Sequence, residues 1–117
     1  MVKDESILNS IKDYVDVVED DDSFNKKLIT DINTVLMTVM HEWHGVDHAF
    51  VIHDETAIWS DFLGDDVDYE GVKTLVGLKV KLLFDPPTNA AVLQSYKEEI
   101  YNLEVGMYIW KDNLRLD

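Results

Sequence analysis

The chain contains no cysteine. Disulfide bonds, thiol nucleophiles and cysteine-based zinc sites are therefore excluded. It also lacks a glycine loop to cradle a phosphate and a nucleophile elbow of the serine-hydrolase kind. No apolar run approaches the roughly 20 residues that a membrane-spanning helix needs. The opening Met1-Val2-Lys3-Asp4-Glu5 has none of the apolar character of a signal peptide. The expectation is a protein that stays in the cytoplasm where it is made, with no membrane association. Basic residues are scarce as well: ten Lys and Arg stand against 24 Asp and Glu, a formal net charge of −14. Neutralising phosphates takes Lys and Arg, so a conventional DNA-binding surface is excluded. Positions 47 to 70 carry eight acids and no Lys or Arg, which reads as an acidic, soluble surface.

What is present suits a folded chain. At 117 residues, 46% hydrophobic and 29% charged, positions 1–117 are expected to form one domain with a modest core. Ile7, Leu8, Ile11, Tyr14, Val15 and Val18 fit one face of a first helix, with Asp4 or Ser6 available to cap it. The run Glu19-Asp20-Asp21-Asp22 then breaks the pattern. It lacks the glycine and alternating ligands of a calcium loop, and reads as a solvated linker that places negative charge before the next helix.

A second helix is marked by Phe24, Leu28, Ile32, Val35, Leu36, Val39, Met40 and Trp43 at steps of three and four, with Gly45 as a natural stop. From Val46 to Gly71 the helical pattern lapses. Phe50-Val51-Ile52 has the makings of a short strand, and Thr56 can open a turn of helix carrying Trp59, Phe62 and Leu63, with Gly64 at the last turn. A connector this long in a small domain is usually functional.

The only two prolines are adjacent. In Asp85-Pro86-Pro87 the first proline pushes Asp85 out of the right-handed helical region, and neither offers an amide hydrogen to a preceding turn. A helix that reaches Phe84 must end there. Thr88 and Asn89 can each cap a new helix, whose Leu93, Tyr96, Ile100, Leu103, Met107 and Trp110 form one apolar stripe. Gly106 is a local weak point, and the helix is expected to run to about Lys111. The preceding segment, about Asp68 to Phe84, is ambiguous. Leu78-Lys79-Val80-Lys81-Leu82 alternates like a half-buried strand, while Val72, Leu75, Val76, Lys79, Val80 and Leu83 fit helical spacing.

Chemistry-bearing clusters are few. His41, His44, His48 and His53 invite a metal site, but His41-Glu42-Trp43-His44 sets its histidines three apart, not four as in the zinc-protease helix. They read as partly exposed histidines, two of them at a helix C-terminus where a protonated imidazole is favoured. Among 24 acids, adjacent carboxylates carry no information. No active site, metal ion or cofactor is expected.

The segment Leu78-Lys79-Val80-Lys81-Leu82-Leu83-Phe84-Asp85-Pro86-Pro87-Thr88, with Trp59-Ser60-Asp61-Phe62-Leu63 upstream, resembles the tailed-phage head–tail connector (head-completion adaptor) family. The resemblance spans most of the chain: two helices, a Trp-bearing connector, then an apolar helix running into the Asp-Pro-Pro corner. It implies that residues 68–84 are helical. The expected fold is all-α: four helices, three or four of them packed as a small bundle, with a long, partly irregular connector between the second and third.

The resemblance also implies a structural protein and not an enzyme. Family members form a homo-oligomeric ring under the portal protein, extend the DNA channel and dock a tail-side stopper or completion protein. DNA passes without specific binding. The location implied is the neck of the virion, after a stay in the host cytoplasm. Trp59, Phe62, Phe84, Asp85, Pro86, Pro87, Met107 and Trp110 are the motif and candidate interface residues. The aromatic tail Gly106-Met107-Tyr108-Ile109-Trp110 departs from the family pattern. The main rival is a monomeric acidic binding module, such as a DNA-mimic inhibitor; a metal-dependent enzyme comes third.

Overall fold

Ser6 opens the first helix: its backbone is extended and its Oγ accepts a hydrogen bond from the Asn9 amide at 3.2 Å. The computed structural model describes residues 4–44, 50–63 and 69–115, and side chains over 4–38, 50–63 and 70–106. Among the described residues there are five helices and no strand: α1 (Ile7–Tyr14), α2 (Asn25–His44), α3 (Trp59–Leu63), α4 (Tyr69–Phe84) and α5 (Ala90–Arg115). The all-α expectation is met: the four expected helices form, and the turn of helix expected to carry Trp59, Phe62 and Leu63 is α3. The third helix starts at Tyr69, one residue from its expected start. The fourth continues through Gly106 to Arg115. The stops expected at Gly45 and Gly64 lie outside the described residues.

Two local expectations need correction. Val18 was to extend the apolar face of α1, but the helix ends at Tyr14 and Asp16 turns left-handed at φ 59°, so Val18 stands 71% exposed. Asp accepts that conformation more readily than most residues, since its short polar side chain can bond locally. Residues 50–52 form no strand. Ile52 is held instead by a side chain: its amide donates to Asn33 Oδ1 at 2.7 Å, and Asn33 Nδ2 donates to its carbonyl at 3.1 Å.

The core joins Ile7, Leu8 and Ile11 of α1, Leu28, Ile32 and Leu36 of α2, and Val72, Leu75, Val76 and Val80 of α4. Each such side chain contributes roughly 2 kcal/mol by leaving water. α4 packs against α1, α2 and α5. This explains its ambiguous pattern: a helix touched on several sides carries apolar residues beyond a single stripe, which blurs the 3.6-residue period. Leu78 and Leu82, the residues that suggested a strand, pack half-buried against the core. Where α4 crosses α1, Gly77 lets the Tyr14 ring lie so close that a Cβ there would sit 2.5 Å from Tyr14 Cγ. Tyr14 Oη and Thr74 Oγ1 share a hydrogen bond of 3.2 Å at the same crossing.

Candidate functional site

The corner between α4 and α5 forms as its residue types dictate. The Asp85 amide still reaches the Lys81 carbonyl at 3.0 Å, closing the last turn, and the two prolines end the helix. Asn89, and not Thr88, caps the restart: its Oδ1 accepts from the Ala91 amide at 2.8 Å and the Val92 amide at 3.2 Å. Lys81 Nζ lies 3.0 Å from an Asp85 carboxylate oxygen. Phe84 is half-buried, with the Phe24 ring edge-on at 5.8 Å between centroids and Lys27 Nζ 5.4 Å from its centre. The corner is therefore tied to the start of α2 by a ring contact and a cation. Asp85 and Pro86 remain exposed.

The connector's Trp segment faces inward. Trp59 is fully buried and Phe62 nearly so. The indole Nε1 donates to Ser10 Oγ at 3.1 Å, and that hydroxyl in turn donates to the Ser6 carbonyl at 2.6 Å. Backbone bonds fasten the segment to the start of α1: Ile7 N to Ala57 O at 2.9 Å and Trp59 N to Glu5 O at 3.2 Å. Phe50 lies against Phe62, centroids 5.2 Å apart. As placed, Trp59 and Phe62 cover the core of their own chain; neither offers a surface anchor in this conformation.

The stripe of α5 is shared between core and solvent. Ile100 is buried, Leu93, Tyr96 and Leu103 are half-buried, while Val92, Tyr101 and Val105 are exposed. The Met107, Tyr108 and Trp110 side chains lie outside the described residues, although their backbone continues α5. The same holds for His41 and His44 on α2, and His48 is outside altogether; His53 is exposed. Among the described residues no three His, Asp or Glu side chains come together as a metal site. No described helix is long and apolar enough to cross a membrane.

Two residues that the sequence did not mark shape the surroundings. Lys12 is 1% exposed. Its ammonium donates to the carbonyls of Glu19 at 2.9 Å and Asp21 at 3.1 Å, with an Asp22 carboxylate oxygen 3.6 Å away. A buried charge needs such partners. Asn33 is the other, pinning the connector to α2. In the turns themselves Asp21 and Asp54 act as acceptors for residues two positions on. The Ser23 hydroxyl and amide hold the Asp21 carboxyl below its ordinary value, and the Thr56 hydroxyl and amide do the same for Asp54.

Compared with known families, residues 7–113 match the description Phage connector protein. The chain belongs to this family. The match covers both N-terminal helices, the Trp59 segment, α4, the corner and α5 as far as residue 113. No curated protein and no solved structure matches the connector.

Proposed function

We propose that this connector is a structural subunit of the phage neck that assembles as a ring beneath the portal protein, extends the DNA channel and receives a tail-side stopper or completion protein. The family match over residues 7–113 carries the reading. The hairpin of α4 and α5, locked at Pro86-Pro87, is a stiff element suited to a wall. Its outer surface keeps Leu83, Val92, Tyr101 and Val105 exposed, apolar material for seams between neighbours. With a net charge of −14 such a ring repels a DNA backbone, so nucleic acid slides past without being held. Asp85 and Pro86 at the corner and the Met107–Trp110 end of α5 are the candidate contacts to portal or tail. The role needs no catalysis, and the chain works as one unit.

Electron microscopy and sedimentation of the purified protein, alone and with a portal, test this. Closed rings, free or portal-bound, are the expected result. A chain that stays monomeric at high concentration and ignores the portal defeats the assignment. If that monomer instead captures a nucleic-acid-binding protein tightly, the acidic inhibitor reading replaces it.

A further inference from the structure

The ring reading leaves open which surfaces meet, and two built features on different parts of the molecule fit each other. The first is an open apolar groove of about 380 Å³ between α2, α4 and α5, floored by Val35, Leu82, Leu83 and Ile100 and bordered by Lys79 and Lys97. Lys79 pairs with Glu104 at 3.6 Å. Lys97 is exposed, with no carboxylate within 4 Å among the described residues. Two cations beside one apolar groove are unusual in a chain where acids outnumber bases by 24 to ten.

The second feature is the turn between α1 and α2. Val18 is the most exposed large apolar side chain of the described residues, and the carboxylates of Asp16, Glu19 and Asp20 surround it in sequence, all exposed. The turn is rigid by construction. Buried Lys12 donates to the carbonyls of Glu19 and Asp21, the Asp21 amide closes on the Val18 carbonyl at 2.9 Å, and Asp16 sits in the left-handed region. A surface presented at this low conformational cost binds with less ordering penalty. None of the turn's residues lines the groove.

We propose that the Val18 turn of one copy docks into the α2–α4–α5 groove of the next, with Val18 on the apolar floor and Glu19 and Asp20 beside Lys79 and Lys97. The proposal rests on the ring reading and names its subunit contact. Charge decides the pairing. Two acidic turns face to face repel, whereas acidic turn against lysine-bordered groove is complementary. The contact is also head-to-tail, using different surfaces on the two partners, and contacts of that kind close into rings when the rotation permits.

The absence of cysteine makes the test clean. Val18→Cys and Leu83→Cys variants, distinguishable by mass, are mixed under assembly conditions and mildly oxidised. The expected product is the mixed Val18–Leu83 disulfide in the ring fraction. Lys97→Glu and Glu19→Lys should each raise the concentration for half-assembly roughly tenfold, and the two variants mixed should recover part of the loss. All these positions except Leu83, which is half exposed, are well exposed, and circular dichroism of each variant checks that it stays helical. Rings that form without the mixed disulfide, and without response to the charge variants, overturn this contact while the ring reading stands. Cross-linking of Leu83 only to an added portal assigns the groove to another protein and also overturns it. Failure of the unmodified chain to assemble with or without a portal removes both.

Discussion

Asn33 does with one side chain what a strand pairing does elsewhere: it gives a donor and an acceptor to the backbone of Ile52, a residue 1% exposed. Replacing it with Ala leaves a near-buried amide and carbonyl without partners. We expect Asn33→Ala to cost about 2 kcal/mol in urea unfolding and to speed amide exchange at Ile52. An unchanged exchange rate would show that the connector is held by packing alone. Trp59 poses a parallel case, since the indole fills the core and also bonds Ser10. Neither role was legible beforehand. An Asn in a helical pattern carries no mark of a partner 19 positions away, and an aromatic residue in a connector looks alike whether it turns in or out. Lys12 was hidden for a similar reason: a lysine beside acids reads as surface until the chain folds the Glu19–Asp21 carbonyls over it.

At the scale of elements, two helical glycines separate packing from propensity. Gly77 faces the Tyr14 ring where α4 crosses α1, and a methyl there would collide with it. Gly77→Ala should destabilise by about 2 kcal/mol, through displacement of the ring and loss of its bond to Thr74. Gly106 has nothing within 4 Å of where a Cβ would stand. Gly106→Ala should therefore stabilise by about 1 kcal/mol, because alanine loses less backbone freedom in a helix. Thermal unfolding of both variants checks the pair, and the opposite order would refute the close crossing of α1 and α4. The Asp-Pro-Pro corner belongs to the same scale. Its position was plain from the residues, because proline chemistry is local; the same local chemistry left Thr88 and Asn89 as equal cap candidates, and the bonds from the Ala91 and Val92 amides select Asn89.

For the whole molecule, acid is the informative variable. The Asp21 and Asp54 carboxyls hold their protons less tightly in the fold than in the unfolded chain, because Ser23 and Thr56 donate to the charged form. Below the ordinary value of 3.8 the unfolded chain then binds more protons than the folded one. Their stabilising effect is complete above that pH and is lost as pH falls through the lower folded values. Carboxyl titration by NMR should place both groups below the ordinary value of 3.8. Ser23→Ala and Thr56→Ala should each return its partner toward the ordinary value, and indifference to these changes would remove hydrogen bonding as the cause.

By itself the sequence determined the helical course of α2 and α5, the proline corner and the acidic balance. Each of these is a property of neighbouring residues or of composition, so spacing and local chemistry suffice. Only the tertiary structure decided that residues 69–84 form a helix packed against α1, α2 and α5, that Trp59 turns inward and that Val18 stays outside. Those outcomes depend on which distant segments meet. Burial is set by what covers a residue, and the covering partners lie tens of positions away in the chain.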